Sequence, residues 1–327
     1  MDTTQGELLF NRLTKRYRHL KKWARRTGTN AFRLYDRDIP EIPLVLDLYD
    51  DAVSGALYNR TGEEEKSWLP AMKDSIARAL DIPESHIFLK ERRRMRGRQE
   101  TGNQYGRMSG QNFYRDVREG DLSFRVNLSD YLDTGLFLDA RKKRALIRSG
   151  AAGKRVLNLF AYTCSLSVSA ASGGARQVDS VDLSNTYLEW GRINFALNGL
   201  DDSYLKGTLP LIRSDVLQFI NQAAKKGARW DLIILDPPSF SNSKKMRGTL
   251  DIRRDHRELI QRCLSLLSPG GTLWFSSNAK GFNLESGDFP DFTISDVGKD
   301  LADEDFKRGK FPRCYIFAKK LGAASSF

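Results

Sequence analysis

Leu9, Leu13, Tyr17, Leu20 and Ala24 recur at helical spacing, with basic residues filling the other faces. The pattern predicts an amphipathic helix over residues 5–26 that stops near Gly28. Short β-like runs follow at 31–35, 44–49, 87–90, 113–117 and 122–128, interrupted by a helix over 65–80. Together they predict a small α+β domain. Residues 92–111 are rich in Arg, Gly and Gln and poor in apolar side chains, the composition of an exposed, mobile loop.

From about residue 139 the rhythm changes. Strand-like runs at 155–159, 177–182, 211–213, 230–236 and 272–276 alternate with helical runs near 140–149, 163–172, 184–198, 215–226 and 251–268. That alternation predicts an α/β fold, a doubly wound parallel sheet covered by helices on both faces. The run from Trp230 to Asp236 has the composition of a central buried strand. The last helix carries Leu259, Ile260, Cys263, Leu264 and Leu267 on one stripe and is expected to stop at Pro269-Gly270-Gly271. The expected division is a basic N-terminal helix (1–28), a small α+β domain (29–130) and the doubly wound domain (131–327).

Composition narrows the function class. Of 327 residues, 40% are apolar, ordinary for a chain that builds a core. No apolar run approaches the ~18 residues a membrane span needs. Residues 1–10 are polar and lack the basic start and apolar stretch of a signal peptide, so a cytoplasmic location is expected. Three scattered cysteines and three distant histidines make no disulfide framework and no metal site. The formal charge of +12 points to a polyanionic partner. Lys and Arg concentrate in three stretches, 11–26, 90–107 and 141–155, which favours nucleic acid over scattered surface charge. Lys15, Arg18 and Lys22 in the first, Arg92, Arg93, Arg94 and Arg96 in the second, and Lys244 and Lys245 further on are the candidate RNA contacts.

In doubly wound sheets ligands bind at the carboxyl ends of the strands. After the first strand comes Asn158-Leu159-Phe160-Ala161-Tyr162-Thr163-Cys164-Ser165, without the GxGxxG that cradles a pyrophosphate, so a ligand lacking phosphates fits better. The second strand ends in Asp182, an acid placed to accept from the ribose hydroxyls of a nucleoside; its plain structural role would be to cap the helix starting near Ser184. Asp215 at the next strand end can accept from an adenine amine, or again merely cap. Asp236-Pro237-Pro238-Ser239-Phe240 follows the apolar strand directly. Its prolines fix the backbone and remove two donors, and Phe240 offers a surface for a base taken out of its stack. A strand-ending turn with a buried Phe is the bland alternative.

These features resemble the class I methyltransferases that use S-adenosylmethionine. The strings NFYRDVREGDLSFRVNLSDYLDTGLFLDARKKR, VLNLFAYTCSLSVSAASGGARQVDSVDLSNTYLEWGRINFALNGL and DLIILDPPSFSNSKKM are similar to the bacterial 23S rRNA large-subunit methyltransferases. They look most like the guanine-N7 half of the bifunctional enzyme that methylates guanines at N2 and N7, and the early segment NRLTKRYRHLKKWARRTGTNAFRLYDRDIPEIPLVLDLYDD extends the likeness over nearly the whole chain. The resemblance implies that Phe160, Tyr162, Thr163, Asp182, Asp215 and Asp236 line the cofactor pocket, with Tyr131, Phe137 and Asp139 at its border. Asn158, Leu183, Ser184, Val216 and Pro237 flank these positions and complete the expected cofactor set. Cys164 stands where relatives usually carry Gly, so the turn must tolerate a Cβ. The companion N2 half is absent, which leaves a free-standing form, a relative of altered specificity or a piece of a longer chain.

Cytosine-C5 methylation needs a thiolate that attacks the ring. The sister family places that cysteine on the loop after the later strand, which here reads Phe275-Ser276-Ser277-Asn278-Ala279-Lys280. Cys263 falls on the core stripe, Cys314 precedes the final strand, and Cys164 sits in the cofactor turn. Guanine N7 has an in-plane lone pair and needs neither covalent nucleophile nor obligatory base; orienting the reactants suffices. The expected function is therefore 23S rRNA guanine-N7 methylation, with Asp236 and Phe240 as the catalytic pair and Asp236 holding guanine by its N1–H and N2 amine. The partner is 23S rRNA or a large-subunit assembly intermediate, alongside a separate guanine-N2 methyltransferase. The rivals are a cytosine-C5 or adenine methyltransferase of the same fold, and an RNA-binding or ribosome-assembly protein without catalysis. A nicotinamide oxidoreductase lacks its glycine fingerprint.

Overall fold

The computed structural model describes residues 2–58, 63–92, 108–241, 249–307 and 312–320. The chain divides into two compact units. The first comprises Met1–Leu138 with the return segment Asp303–Gly309, the second Asp139–Ala302 with Lys310–Phe327.

The first unit begins with α1 (Asp2–Thr27), followed by β1 (Ala31–Asp36), β2 (Leu44–Tyr49), β3 (Ala52–Tyr58), α2 (Glu63–Leu80) and β4 (Ile87–Arg92). The four strands form one sheet in chain order, antiparallel except for the β3–β4 pair that α2 connects. The apolar stripe of α1 does what its spacing predicts: Leu9, Leu13 and Leu20 are fully buried with Trp68, Met72 and Ile76 of α2. The N-terminal helix is thus part of this unit's core. The β3 segment AVSGALY was not expected as a strand. Its small residues carry little β signal, and smallness is what the sheet uses at Gly55, where a Cβ would meet Leu89 and Leu46 at 2.5 and 2.7 Å. A hairpin, β5 (Tyr114–Glu119) and β6 (Leu122–Asn127), completes the strands. Residues 131–138, expected with the second domain, are tied here: Tyr49 and Thr134 hydroxyls lie 2.9 Å apart, and Lys90 donates to the Tyr131 carbonyl. The return segment docks through Asp305, which accepts from the Arg33 amide at 3.0 Å, and Phe306, under the Arg33 guanidinium.

The second unit carries α3 (Arg141–Ser149), β7 (Arg155–Leu159), α4 (Ser165–Ser172), β8 (Gln177–Asp182), α5 (Asn185–Leu197), α6 (Asp201–Leu205), β9 (Leu211–Arg213), α7 (Val216–Lys225), β10 (Trp230–Leu235), β11 (Phe240–Ser241), β12 (Leu250–Asp251), α8 (Ile252–Leu264), β13 (Leu267–Ser277), β14 (Phe292–Asp296) and β15 (Arg313–Lys319). Its seven-stranded sheet runs β14-β15-β13-β10-β7-β8-β9. The strands from β13 to β9 are parallel, while β15 is antiparallel to both its neighbours. The doubly wound fold class is as expected. Strand order reverses between β7 and β10, so their carboxyl ends open the crevice where such sheets bind ligands.

Two sequence expectations need correction. The helix expected over 251–268 ends at Leu264, and Pro269-Gly270-Gly271 lies within β13, where a register shift against β10 between Trp230 and Leu232 absorbs the turn residues. Cys314 does not precede the final strand; it is inside β15, paired with Ser276.

Candidate active site

The turn from β7 into α4 contains three non-glycine residues with left-handed backbone: Phe160, Tyr162 and Cys164, at φ +57°, +52° and +62°. Such residues cost about 1–3 kcal/mol each and persist only where their surroundings fix them. The fixing bonds are explicit. Ala161 N–H donates to the Val181 carbonyl, Cys164 N–H to the Ala161 carbonyl, and Tyr162 N–H to Asp182 Oδ2 at 2.9 Å. Cys164 sits where glycine would be unstrained, and Gly191 of α5 makes room for it: a Cβ at 191 would stand 2.5 Å from Cys164 Sγ.

Asp182 ends β8 and faces this turn. Its Oδ1 accepts from the Ser184 amide at 2.8 Å while Oδ2 holds Tyr162. The helix cap proper is Ser184, which accepts from the Tyr187 amide, so the acid is not spent on capping α5. Of the roughly four acceptor sites on a carboxylate, the amides around Asp182 leave room for a further donor. Burial pushes the Asp182 carboxyl above its usual value, opposed by the amides of Ser184, Tyr162 and Leu183. Asp215 does cap: its Oδ1 accepts from Gln218 N–H at 3.0 Å at the start of α7. Among the described residues nothing bonds its Oδ2, so capping and ligand contact coexist at one carboxylate. Leu183 is half-buried, and Val216 belongs to the sheet's core.

Asn158 is 1% exposed and lies beneath the turn rather than on an open wall. Its Nδ2 donates to Ser167 Oγ at 2.8 Å, and its Oδ1 has no partner among the described residues. Thr163 is fully buried, with its carbonyl held by Asn194 Nδ2. Tyr162 packs edge-on against Tyr187, ring centroids 4.6 Å apart. Tyr131 and Phe137, expected at the pocket border, belong to the first unit, while Asp139 opens the second.

Asp236 stands at the switch point, just past β10. Pro237 is buried and Pro238 half-buried; Phe240 begins the short β11–β12 ladder, paired with Asp251, and is half-buried. No sequence pattern pointed to what holds Asp236. Lys143 of α3, only 4% exposed, donates to Asp236 Oδ2 at 3.0 Å and to Ser276 Oγ at 2.5 Å. Ser276 in turn lies 3.7 Å from Cys314 Sγ.

That helix overturns the third basic cluster as a nucleic-acid surface. Arg141, Lys143 and Arg144 are buried. Lys142 donates to the carbonyls of Asp300 and Ala302, and Arg155 pairs with Asp179 over the Trp230 ring. The first cluster behaves as expected in one respect: Lys15, Arg18 and Lys22 are exposed on α1. Arg92 ends β4, while Arg93, Arg94, Arg96, Lys244 and Lys245 lie outside the described residues.

A model of the S-adenosylmethionine-dependent methyltransferase family matches residues 77–304. The chain belongs to that family. It is 44% identical over 318 residues to the ribosomal RNA large subunit methyltransferase K of Neisseria meningitidis serogroup B, covering 95% of this chain and 86% of that protein. It is 42% identical over 315 residues to the K/L methyltransferase of Pseudomonas fluorescens, of which the chain spans only 40%. Among solved structures it is similar to a candidate methyltransferase complexed with SAH, at TM-score 0.75 and 25% identity over 97% of this chain and 82% of that one.

S-adenosylmethionine is the family's cofactor, and the residues present fit it. The glycine-free turn denies a pyrophosphate the close backbone approach it needs, whereas this cofactor carries no phosphate. Asp182 and Asp215 retain acceptor sites for the hydroxyl and amine donors of an adenosyl group. Among the described residues no cluster of His, Cys, Asp and Glu suits a metal, and no helix is long and apolar enough to cross a membrane.

Proposed function

We propose that the chain transfers a methyl group to N7 of a guanine in large-subunit ribosomal RNA, with no covalent bond between enzyme and base. The observation that carries this reading is Asp236: an acceptor-only carboxylate at the switch point, one oxygen held by Lys143 and the other clear of hydrogen bonds among the described residues. Guanine is the base that offers two adjacent donors, N1–H and the N2 amine, to such a group. Gripping that edge leaves N7 on the opposite side of the base free to react.

The cofactor supplies an electrophilic methyl group on a sulfonium. The protein's part is orientation, which can contribute several kcal/mol without acid–base chemistry. Asp182 accepts from the ribose hydroxyls and Asp215 from the adenine amine through Oδ2, with Phe160, Tyr162, Thr163, Leu183, Ser184, Val216 and Pro237 around them. Asn158 supports the turn from within the core, and Asp139 flanks the entrance. Phe240 receives the everted base, since duplex RNA hides its base edges. Lys15, Arg18 and Lys22, with the Arg92–Arg96 and Lys244–Lys245 stretches, hold phosphates. The thiols speak against cytosine-C5 chemistry: Cys164, Cys263 and Cys314 are all buried, and burial pushes each thiol above its ordinary value. The proposed setting is the cytoplasm, with a separate guanine-N2 methyltransferase acting on the same RNA.

The test is nucleoside mass spectrometry of 23S rRNA from cells lacking the gene, with in vitro methylation of that RNA by the purified protein. Loss of 7-methylguanosine, restored by protein and labelled cofactor, is the expected result. Loss of 5-methylcytidine instead would overturn the chemistry, and no change in any methylated nucleoside would leave a binding protein.

A further inference from the structure

Lysine is almost never fully buried unless paired, and Lys143 is buried in a helix whose sequence reads as solvated. Its pairing is lopsided. The ammonium is 4% exposed while the carboxylate it meets is 34% exposed. A pair built for stability alone gains little from ions, because well-packed apolar side chains of the same volume usually do as well. Here the cation is withdrawn from solvent and the anion, just past the carboxyl end of β10, stays a third exposed. Two acceptors, Asp236 Oδ2 at 3.0 Å and Ser276 Oγ at 2.5 Å, fix the ammonium between β10 and β13. The carboxylate is thereby anchored at one oxygen, and its plane is set. Oδ1 is the oxygen left for a ligand.

We propose that Lys143 is a positioning residue that aims Asp236, so that the site selects a base edge with two adjacent donors. The inference rests on the reading of Asp236 as the guanine-binding group. Lys143 itself touches neither base nor cofactor. Its removal leaves Asp236 with no counter-charge and with free rotation about its side-chain bonds, so the loss falls on base selection and turnover, not on cofactor binding.

Inosine separates these effects, because it is guanosine without the N2 amine and keeps both N7 and N1–H. Once the methylated position is mapped, a ligated 23S rRNA fragment is prepared with guanosine or inosine there, and kcat and KM are measured for the wild type, Lys143→Met, Lys143→Gln and Lys143→Arg. A hydrogen bond to a charged group is worth about 1.5–3 kcal/mol, or roughly 10- to 100-fold. The wild type should therefore prefer guanosine by roughly that factor. Lys143→Met should lose a similar factor in kcat on guanosine, bind S-adenosylmethionine normally by titration, and show little preference between the two fragments. Lys143→Arg should regain most of the preference. Lys143→Gln, which keeps a bond to Ser276 without the charge, should behave like Lys143→Met and serves if the methionine variant fails to bind cofactor. A neutral variant that binds cofactor and keeps the full preference for guanosine refutes the positioning role. A wild type indifferent to the N2 amine refutes the reading of Asp236, and the inference falls with it.

Discussion

Gly191 stands in the interior of α5, where glycine costs about 1 kcal/mol relative to alanine. Helix propensity alone therefore makes Gly191→Ala stabilising by about that amount. The structure reverses the sign. A Cβ at 191 would lie 2.5 Å from Cys164 Sγ, 2.9 Å from Cys164 Cβ and 3.6 Å from the Thr163 carbonyl carbon. The sulfur could rotate away, but the Cys164 Cβ is fixed to backbone that bonds at both ends: its N–H to the Ala161 carbonyl and its own carbonyl to Val168 N–H, each at 2.8 Å. Relief requires moving the turn. Overpacking of this kind costs about 1–3 kcal/mol, and two contacts with a pinned neighbour place it in the upper half. After the propensity gain, Gly191→Ala should be net destabilising by about 1–2 kcal/mol.

The partner substitution isolates the cause. Cys164→Gly removes both close contacts and leaves only the ordinary one at 3.6 Å; in that background Gly191→Ala should stabilise by about 1 kcal/mol. The coupling is then about 2–3 kcal/mol, well beyond the ~0.5 kcal/mol scatter of independent sites. Because two units need not unfold together, the second unit's transition is identified as the one that shifts with S-adenosylmethionine. Cofactor affinity is a second readout, since moving the turn displaces the Tyr162 amide from Asp182. Affinity should fall in Gly191→Ala and recover in the double variant. A stabilised single variant, or equal effects in both backgrounds, would mean that the contact with Cys164 does not set the sign.

In the proposed function Asp182 binds ribose hydroxyls as a carboxylate, and burial raises its carboxyl above the ordinary ~3.9. Cofactor affinity should therefore be complete above that raised value and fall as pH drops through it, earlier than for an exposed acid; Asp182→Asn should weaken binding and flatten the profile in titrations across the acid range. The same shift acts oppositely on folding: its favourable contribution is present below the unfolded value and is lost as pH rises through the folded one. Charge reversal at Lys15, Arg18 and Lys22 should lower the slope of log affinity against log salt for 23S rRNA by roughly two to three, at about 0.7–0.9 per phosphate contact; an unchanged slope removes α1 from the RNA interface. The three buried thiols should resist an aromatic disulfide reagent until the protein unfolds, and RNA containing 5-fluorocytidine should form no covalent adduct. A trapped adduct would restore the cytosine-C5 reading.

The parallel strands β7 and β8 were legible because burial on both faces writes them as short apolar runs, and the bounds of these two and of the half-exposed β9 are those the sequence predicts. The positions of the three acids were legible in the same way: once the end of a strand is located, an Asp at it or just past it lies at the carboxyl edge of the sheet. The antiparallel edge strand β14 was not. In β14 the segment FTISD keeps much of its surface in solvent and has no apolar run to announce it. The start of β13 was misread because Pro269-Gly270-Gly271 is turn chemistry, and only pairing with β10 turns it into a strand. The fit between Cys164 and Gly191 is also tertiary. A cysteine in place of glycine reads as a local strain, and its compensation lies on another helix.

The basic clusters show how far charge patterning reaches. Helices α1 and α3 are both dense in Lys and Arg, yet one presents them to solvent and the other buries them. What differs is the apolar content available to each. In α1, Leu9, Leu13 and Leu20 supply a continuous inner stripe, so Lys15, Arg18 and Lys22 are left outside. In α3 the sequence RKKRALIRS offers only Ile147 as a fully apolar buried side chain, and Leu146 is 48% exposed. The helix packs against α4 and buries the stems of Arg141, Lys143 and Arg144, whose methylenes pack while their charged heads seek partners. One of those heads meets Asp236. A count of lysines and arginines therefore says little about nucleic acid until each helix is asked whether it has anything else to bury, and the cations that fail that question are the ones to look for inside the catalytic crevice.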